Sequence, residues 1–259
     1  RRDLGALHQA RDGAIWFGTQ VYGAARYDGT GFSRLGVENG LLSDEIFDIA
    51  ETSDGALWFA TLEGLSKFNG TTVVNYTEKD GLIDRWVRGI YVDSDDVLWC
   101  ATKKGISRLD PKGFIRFTKA DGMRNNEGET AGVLAIEPDP DGSQWIGTEW
   151  GGLFRVQGNR IQSMTSERHY VRKIYRAVDG TLWFGLPKGI FRYENGKLVQ
   201  VLERSWVLAL GGDDQGNIWY GQGWNGGGLS RYNPKTGEET IFTKAQGLPN
   251  DSVWAIERA

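Results

Sequence analysis

Residues 46–61 read IFDIAETSDGALWFAT, and this stretch decides the fold because variants of it recur along the chain. An apolar run at residues 46–50 is followed by Asp54 and Gly55, and then by a second apolar run at residues 57–61. An Asp-Gly pair favours the positive φ angles of a tight hairpin turn. The stretch therefore predicts two antiparallel strands joined by a short turn.

The motif Asp-Gly-X-X-Trp occurs at residues 12–16, 54–58, 141–145 and 179–183, with degenerate copies at 95–99 and 215–219. Successive motif tryptophans lie 36 to 46 residues apart. A period near 40 with strand-like content is typical of β-propellers, which build one four-stranded blade per repeat. The six complete repeats predict an all-β propeller of six four-stranded antiparallel blades. Residues 251–256 resemble one more first strand, so a seven-bladed ring is the alternative.

The third strand of each repeat carries an apolar-X-basic pattern, and the loop back to the next repeat commonly ends in Gly-Leu or Gly-Met. The basic residues are Arg26, Lys67, Arg108, Arg155, Arg192 and Arg231. A residue type that recurs in every blade is expected to have a structural role that all blades share. We therefore expect the motif tryptophans to pack between adjacent sheets and the basic residues to form repeated ion pairs or solvated faces.

Composition excludes several function classes. The chain has 259 residues with 30 basic and 34 acidic side chains, and this net charge of -4 argues against a nucleic-acid binder. No apolar run approaches the ~20 residues of a membrane-spanning helix, so no membrane segment is predicted. The single cysteine, Cys100, excludes an internal disulfide and is expected to be a small buried residue. We predict one propeller domain over residues 1–259, as a mature form or an excerpt of a larger protein.

The repeated pattern has three parts: Asp-Gly-X-Leu-Trp-Phe-Gly-Thr, then Gly-Leu-Ser-Arg-Tyr, then Asp-Gly-Leu. It resembles the two-component regulator propeller repeat, which builds the extracytoplasmic sensor region of many bacterial hybrid histidine kinases. The resemblance covers nearly the whole chain but departs at residues 166–169 and 202–204, where other residues replace the Gly-Leu return. It implies a periplasmic or extracellular sensor of an oligosaccharide or other small molecule, or a protein-contact module that forms a homodimer.

Function is expected where the repeats differ. In a propeller, the hairpins between second and third strands share one face with the returns to the next blade. Nine candidate ligand-binding residues fall there: Glu45, Arg85, Trp86, Trp150, His169, Tyr170, Trp206, Trp224 and Asn225. Exposed tryptophan beside arginine, glutamate and asparagine suits sugar rings, whose apolar faces stack while their hydroxyls form hydrogen bonds. The alternative is that these tryptophans plug the channel mouth or pack against loops.

A catalytic interpretation rests on His169 and Glu149 as a general acid/base pair. The streptogramin-type lyases, another propeller family with Gly-X-X-Trp-Phe repeats, use a histidine with a divalent metal. The third-strand pattern here is more similar to the sensor repeat, so the sequence favours a binding protein over an enzyme. A non-catalytic interaction scaffold is the third hypothesis. No Cys/His metal spacing, phosphate-binding loop or nucleophile elbow is present, so we expect no metal and no other cofactor.

Overall fold

The computed structural model describes residues 4–165, 169–222, 226–253 and 256. Within these residues the chain forms 24 strands arranged in six four-stranded antiparallel sheets. In every sheet the strands follow chain order, so neighbouring strands are joined by hairpins. The predicted all-β architecture of six four-stranded blades is confirmed.

The chain divides into two compact units, Arg1–Val133 and Leu134–Ala259, with three sheets in each. The strands of the first unit are β1 (Leu4–Gln9), β2 (Ile15–Thr19), β3 (Ala24–Tyr27), β4 (Phe32–Leu35), β5 (Ile46–Glu51), β6 (Leu57–Thr61), β7 (Gly64–Phe68), β8 (Val73–Tyr76), β9 (Val87–Val92), β10 (Leu98–Thr102), β11 (Gly105–Asp110) and β12 (Gly113–Phe117). Those of the second are β13 (Val133–Pro138), β14 (Gln144–Thr148), β15 (Leu153–Gln157), β16 (Arg160–Ser163), β17 (Lys173–Arg176), β18 (Leu182–Leu186), β19 (Gly189–Glu194), β20 (Lys197–Glu203), β21 (Val207–Gly212), β22 (Ile218–Gln222), β23 (Leu229–Tyr232) and β24 (Glu239–Phe242). The prediction of a single domain stays a prediction.

The Asp-Gly turn of the second sheet shows why the motif makes a hairpin. Gly55 has a φ of 79°, which only glycine adopts without strain. The Asp54 carboxylate accepts hydrogen bonds from the Thr52 hydroxyl at 2.6 Å and the Ala56 N–H at 3.1 Å. These two donors, the hydroxyl first, lower the pKa of Asp54 to about 2. The motif aspartate therefore holds the turn as an anion.

The motif tryptophan and the basic residue of the third strand form one unit in most sheets. Strand pairing sets Trp58 directly opposite Lys67, and the ammonium lies 5.2 Å from the ring centroid. Four more sheets repeat the contact at 5.3 to 6.0 Å, between Arg108 and Trp99, Arg155 and Trp145, Arg192 and Trp183, and Arg231 and Trp219. Such cation–π contacts contribute about 0.5–1 kcal/mol each at partly exposed sites. The expected ion pairs also form, as between Lys67 and Asp54 at 3.2 Å.

Cores lie between adjacent sheets, as expected from the repeated tryptophans. Trp16 of the first sheet meets Phe59 of the second edge-on, with ring centroids 5.6 Å apart. Trp145 of the fourth sheet meets Tyr193 of the fifth at 4.9 Å. Cys100 is fully buried in the core between the second and third sheets, and this burial raises the pKa of its thiol well above the ordinary value. Its prediction as a small buried residue is confirmed.

Four returns between sheets contain a short 3-10 turn that sequence reasoning did not predict. These turns are Val37–Asn39, Glu78–Asp80, Lys119–Asp121 and Lys244–Gln246. In the second of them, Thr77 caps the start through hydrogen bonds with Asp80, and Gly81 ends it at a φ of 107°. The left-handed backbone at this position explains why the return carries a glycine before the leucine.

Residues 251–256 were predicted as an additional first strand, and Val253 packs in the manner of one. A Cβ added to Gly221 of β22 would lie 2.6 Å from the Val253 side chain. A Cβ added to Gly18 of β2 would lie 2.6 Å from Ile46, the first residue of β5. Val253 thus occupies on the sixth sheet the place that Ile46 occupies on the first. Residues 254 and 255 of this segment lie outside the described residues.

Candidate functional site

Strand pairing confirms that two kinds of loop meet at one end of each sheet. In the second sheet, Thr61 at the end of β6 pairs with Ile46 at the start of β5, and Leu65 near the start of β7 pairs with Tyr76 at the end of β8. The β6–β7 hairpin and the return that follows β8 therefore lie at the same end. The predicted ligand-binding residues lie on such hairpins and returns.

Three predicted residues of the first unit, Glu45, Arg85 and Trp86, lie in the returns that precede β5 and β9. One Nη atom of Arg85 donates to both carboxylate oxygens of Glu63, each at 3.0 Å. Both side chains are exposed, so this pair contributes little to stability. Glu45 is half-buried, and its N–H donates to the Ser43 hydroxyl at 3.0 Å.

Trp86 does not stand free at this end. Its half-buried ring lies 6.1 Å from the Phe47 ring and 4.9 Å from the Arg88 guanidinium carbon. Nearby, Lys104 pairs with Asp84 at 3.4 Å and Glu78 at 3.5 Å, and Asp84, the nearer anion, is the main cause of a raised pKa for Lys104. This part of the first unit consists of side chains that already contact one another.

The second unit brings three predicted aromatic residues into a continuous row. The Trp150 and Tyr170 rings meet edge-on with centroids 5.4 Å apart, and the Tyr170 and Trp206 rings do so at 5.8 Å. Trp150 lies on the β14–β15 hairpin, and the other two lie in the returns that precede β17 and β21. Trp150 is 44% exposed, while Tyr170 and Trp206 are half-buried. We call Trp150, Tyr170 and Trp206 the aromatic row.

Both tryptophans of the aromatic row have left-handed backbone. Trp150 has a φ of 59° and Trp206 a φ of 46°, and only Asp96 and Asn195 share a positive φ among the other described non-glycine residues. This conformation costs an L-residue about 1–2 kcal/mol. Bulky residues persist there only where the surroundings hold them, and such positions cluster at functional sites.

The surroundings of the aromatic row explain how the strained backbone is held. The Thr148 hydroxyl donates to the Gly152 carbonyl at 2.7 Å across the Trp150 hairpin, and the Gly152 N–H donates to the His169 carbonyl at 3.0 Å. The Trp206 N–H donates to the Pro187 carbonyl at 2.9 Å. The first two bonds close the hairpin that carries Trp150 and tie it to the return at His169, and the third ties Trp206 to the β18–β19 hairpin.

A charged cluster anchors the return that carries Trp206. The Nε of Arg204 donates to the Tyr220 hydroxyl at 3.0 Å, and its guanidinium pairs with Glu239. The Tyr220 hydroxyl also donates to Glu239, and the Tyr220 side chain is fully buried. Arg204 therefore ties the return to the sixth sheet two residues before Trp206.

The weak catalytic candidates lie beside the aromatic row. The half-buried His169 ring lies 6.1 Å from the Phe191 ring, and Glu149 precedes Trp150 on its hairpin. No group of three His, Cys, Asp or Glu residues able to hold a metal occurs among the described residues. The catalytic interpretation of His169 and Glu149 stays a prediction. Trp224 and Asn225 lie outside the described residues.

The hairpin between the second and third strands differs in length among the sheets. The threonine that ends the second strand bonds to a glycine carbonyl three residues later in the second and third sheets, as from Thr61 to Gly64. In the first and fourth sheets the same bond spans four residues, from Thr19 to Gly23 and from Thr148 to Gly152. These longer hairpins carry the exposed aromatic residues Tyr22 and Trp150.

Residues 40–63 match the family described as two component regulator propeller. Similar solved structures include two extracellular domains assigned to hybrid two-component systems of B. thetaiotaomicron. One is 20% identical with a TM-score of 0.75 over 98% of this chain and 36% of that chain. The other is 21% identical with a TM-score of 0.59 over 93% of this chain and 43% of that chain. A streptogramin B lyase structure is 15% identical with a TM-score of 0.69 over 93% and 83% of the two chains.

The chain thus spans less than half the length of the two extracellular domains that it resembles. Among curated proteins, no sequence matches it. Across the described part of the chain, no helix has the length and apolar character needed to cross a bilayer. The family match and the six sheets confirm the resemblance seen in the sequence. The chain is a β-propeller with six four-stranded blades, and its residues 40–63 match the two-component regulator propeller family.

Proposed function

We propose that this chain is the extracytoplasmic sensor propeller of a hybrid two-component regulator and that it binds an oligosaccharide along the aromatic row. The propeller repeat and the likeness to two extracellular domains of such systems support the sensor role and a periplasmic or extracellular location. The observation that carries the binding site is the pair of tryptophans with positive φ in contact with one tyrosine.

The geometry of the row suits a chain of sugar rings better than a single small molecule. Centroid spacings of 5.4 and 5.8 Å set three aromatic rings in succession, so more than one sugar ring can find an aromatic partner. The exposed ring of Trp150 offers an apolar face, and the tyrosine hydroxyl and the indole N–H groups are polar partners for sugar hydroxyls. Rigid aromatic side chains also lose little conformational freedom when a ligand binds.

Strain supports a binding role for the row. A residue that only packed against a loop would gain nothing from a left-handed backbone that costs about 1–2 kcal/mol. The Trp150 ring remains 44% exposed, so its packing does not fully offset the strain of its backbone. Holding an exposed ring in a fixed orientation before the ligand arrives lowers the entropy cost of binding.

Isothermal titration calorimetry with a panel of neutral and acidic oligosaccharides tests this proposal. We expect saturable binding of at least one oligosaccharide to the natural chain, weakened about tenfold or more in Trp150→Ala because a ring contact of about 1.4 kcal/mol is lost. The matched control is Phe32→Ala, which removes a 73% exposed ring from the other end of its sheet. Binding to no member of the panel, or equal binding by Trp150→Ala and Phe32→Ala, would overturn the proposal.

A further inference from the structure

One face of the first sheet carries an exposed apolar patch. Strand pairing places five apolar or aromatic side chains on this face: Leu7, Ile15, Phe17, Tyr27 and Phe32. Leu7 is 64% exposed and Phe32 is 73% exposed, and the Phe32 ring lies 5.0 Å from the Tyr27 ring. Contiguous exposed apolar side chains of this kind mark interaction surfaces. We call these five residues the open face.

The second sheet uses the equivalent face as an interface. Its pairs Ile49–Phe59 and Phe68–Val73 correspond to Leu7–Phe17 and Tyr27–Phe32. Ile49 is 5% exposed and Phe59 is fully buried, both in the core that the second sheet shares with the first. Phe184 and Tyr220, which hold the position of Phe17 in the fifth and sixth sheets, are also fully buried. This face of a blade is therefore built to be covered by another sheet.

The cover in other sheets includes the motif tryptophan of the preceding sheet. The ring contacts are between Trp16 and Phe68 at 6.1 Å, Trp145 and Tyr193 at 4.9 Å, and Trp183 and Tyr232 at 6.3 Å. Each contacted residue directly follows the basic residue of its third strand, as Tyr27 follows Arg26. Among the described residues, Phe32 supplies the one aromatic ring in contact with Tyr27. The open face thus has the residue that receives a motif tryptophan, but no such tryptophan lies on it.

The sixth sheet shows the complementary gap. Its motif tryptophan, Trp219, is half-buried, whereas those of the other five sheets are 2 to 4% exposed. In the fourth and fifth sheets the motif tryptophan is buried in a core shared with the sheet that follows. Trp219 therefore lacks part of the cover that a following sheet provides.

A further blade begins after the sixth sheet. The Gly228 N–H donates to the Asp251 carbonyl at 2.8 Å, as the Gly23 N–H donates to the Asp44 carbonyl at 2.9 Å just before β5. Ile256 also packs on this sheet, since a Cβ added to Gly211 would lie 3.0 Å from its side chain. Together with the packing of Val253, these contacts give residues 251–256 the place of a first strand. Three residues follow Ile256, too few for the other three strands of a blade.

We infer that the open face of the first sheet is the docking surface for a further blade of the same repeat, which begins with residues 251–256 and is completed by three strands outside residues 1–259. The second strand of that blade brings a motif tryptophan onto Tyr27 and buries Leu7 and Phe32. A repeat unit cannot bury its apolar face alone, so the added blade stabilises the first sheet. This inference uses no residue of the aromatic row and is independent of the proposed oligosaccharide site.

Thiol labelling of the natural chain tests whether the open face is uncovered. Phe32→Cys places a thiol on this face, and Val178→Cys is the matched control because Val178 is 57% exposed on the turn between β17 and β18. The native Cys100 is fully buried and does not interfere. We expect the two introduced thiols to react at comparable rates at every protein concentration. Protection of the Phe32→Cys thiol in the dilute chain means that the face is already covered, and protection that grows with concentration means that a second copy covers it. Either result would overturn the inference.

An extended chain tests the occupant. A copy of residues 50–77 is joined after Ile256, because residues 251–256 correspond to residues 44–49. We expect the Phe32→Cys thiol to react at least tenfold more slowly in the extended chain, the Val178→Cys thiol to react as before, and the urea midpoint to rise as apolar surface is buried. Trp58→Ala within the copied segment should restore part of the lost reactivity. An unchanged rate for the Phe32→Cys thiol, or a urea midpoint below that of the natural chain, refutes the docking of a further blade on this face.

Discussion

The left-handed backbone at Trp150 predicts that glycine is more stable than alanine at this position, which reverses the usual order. Trp150→Ala and Trp150→Gly both remove the ring, so their difference in free energy of unfolding reports only the backbone. Glycine relieves about 1–2 kcal/mol of strain at a φ of 59°. Its greater freedom in the unfolded chain costs about 0.5–1 kcal/mol relative to alanine. We expect Trp150→Gly to be more stable by about 0.5–1 kcal/mol.

Urea unfolding followed by circular dichroism measures this difference, provided that the two variants share one m-value. The matched control is Tyr22, an exposed aromatic residue on the equally long hairpin of the first sheet, whose φ is not positive. There Tyr22→Gly should be less stable than Tyr22→Ala by about 0.5–1 kcal/mol. If glycine were the less stable residue at both positions, the strain at Trp150 and the argument built on it would be refuted.

Three further predictions concern the half-buried Glu137, the glycine that starts β11 and the buried Cys100. Desolvation raises the pKa of Glu137 to about 7 despite Arg176, so stability should fall as pH rises from about 4.5 to 7, and Glu137→Gln should abolish that fall in pH-dependent urea midpoints. Gly105→Ala should unfold at clearly lower urea than Gly113→Ala, because both have a positive φ but only at Gly105 would the Cβ lie 2.3 Å from a carbonyl oxygen. Fully buried Cys100 should react with a thiol reagent only after denaturant is added, as a timed absorbance assay will show.

Much of the fold could be predicted because the same pattern of turn and strand residues occurs six times in the chain. The predicted second strand at residues 57–61 coincides with β6, because the turn at Gly55, whose φ is positive, precedes it and Thr61 ends it. The 3-10 turns escaped prediction because three residues are too few to show a helical period. The stacking of Lys67 on Trp58 was not predicted. It depends on the register between two strands, and the motif does not determine that register.

The candidate site was only partly predictable. The sequence assigned Tyr170 and Trp206 to the same predicted face, and their rings are in contact. It assigned Trp86 to that face as well, yet Phe47 and Arg88 cover its ring, because the neighbours of a side chain depend on residues from other strands. The positive φ of Trp150 could not be read from the motif either, since tryptophan carries no preference for left-handed backbone.

The central claim, an oligosaccharide site on the aromatic row, is tested most directly by indole 15N–1H spectra during an oligosaccharide titration. The account predicts that the signals of Trp150 and Trp206 move together with one dissociation constant, while that of the buried Trp183 stays in place. Tyr170, which contacts both tryptophan rings, explains why the two should respond as a pair. Saturable movement of other indole signals with those of Trp150 and Trp206 unchanged, or no movement with any oligosaccharide, would contradict it.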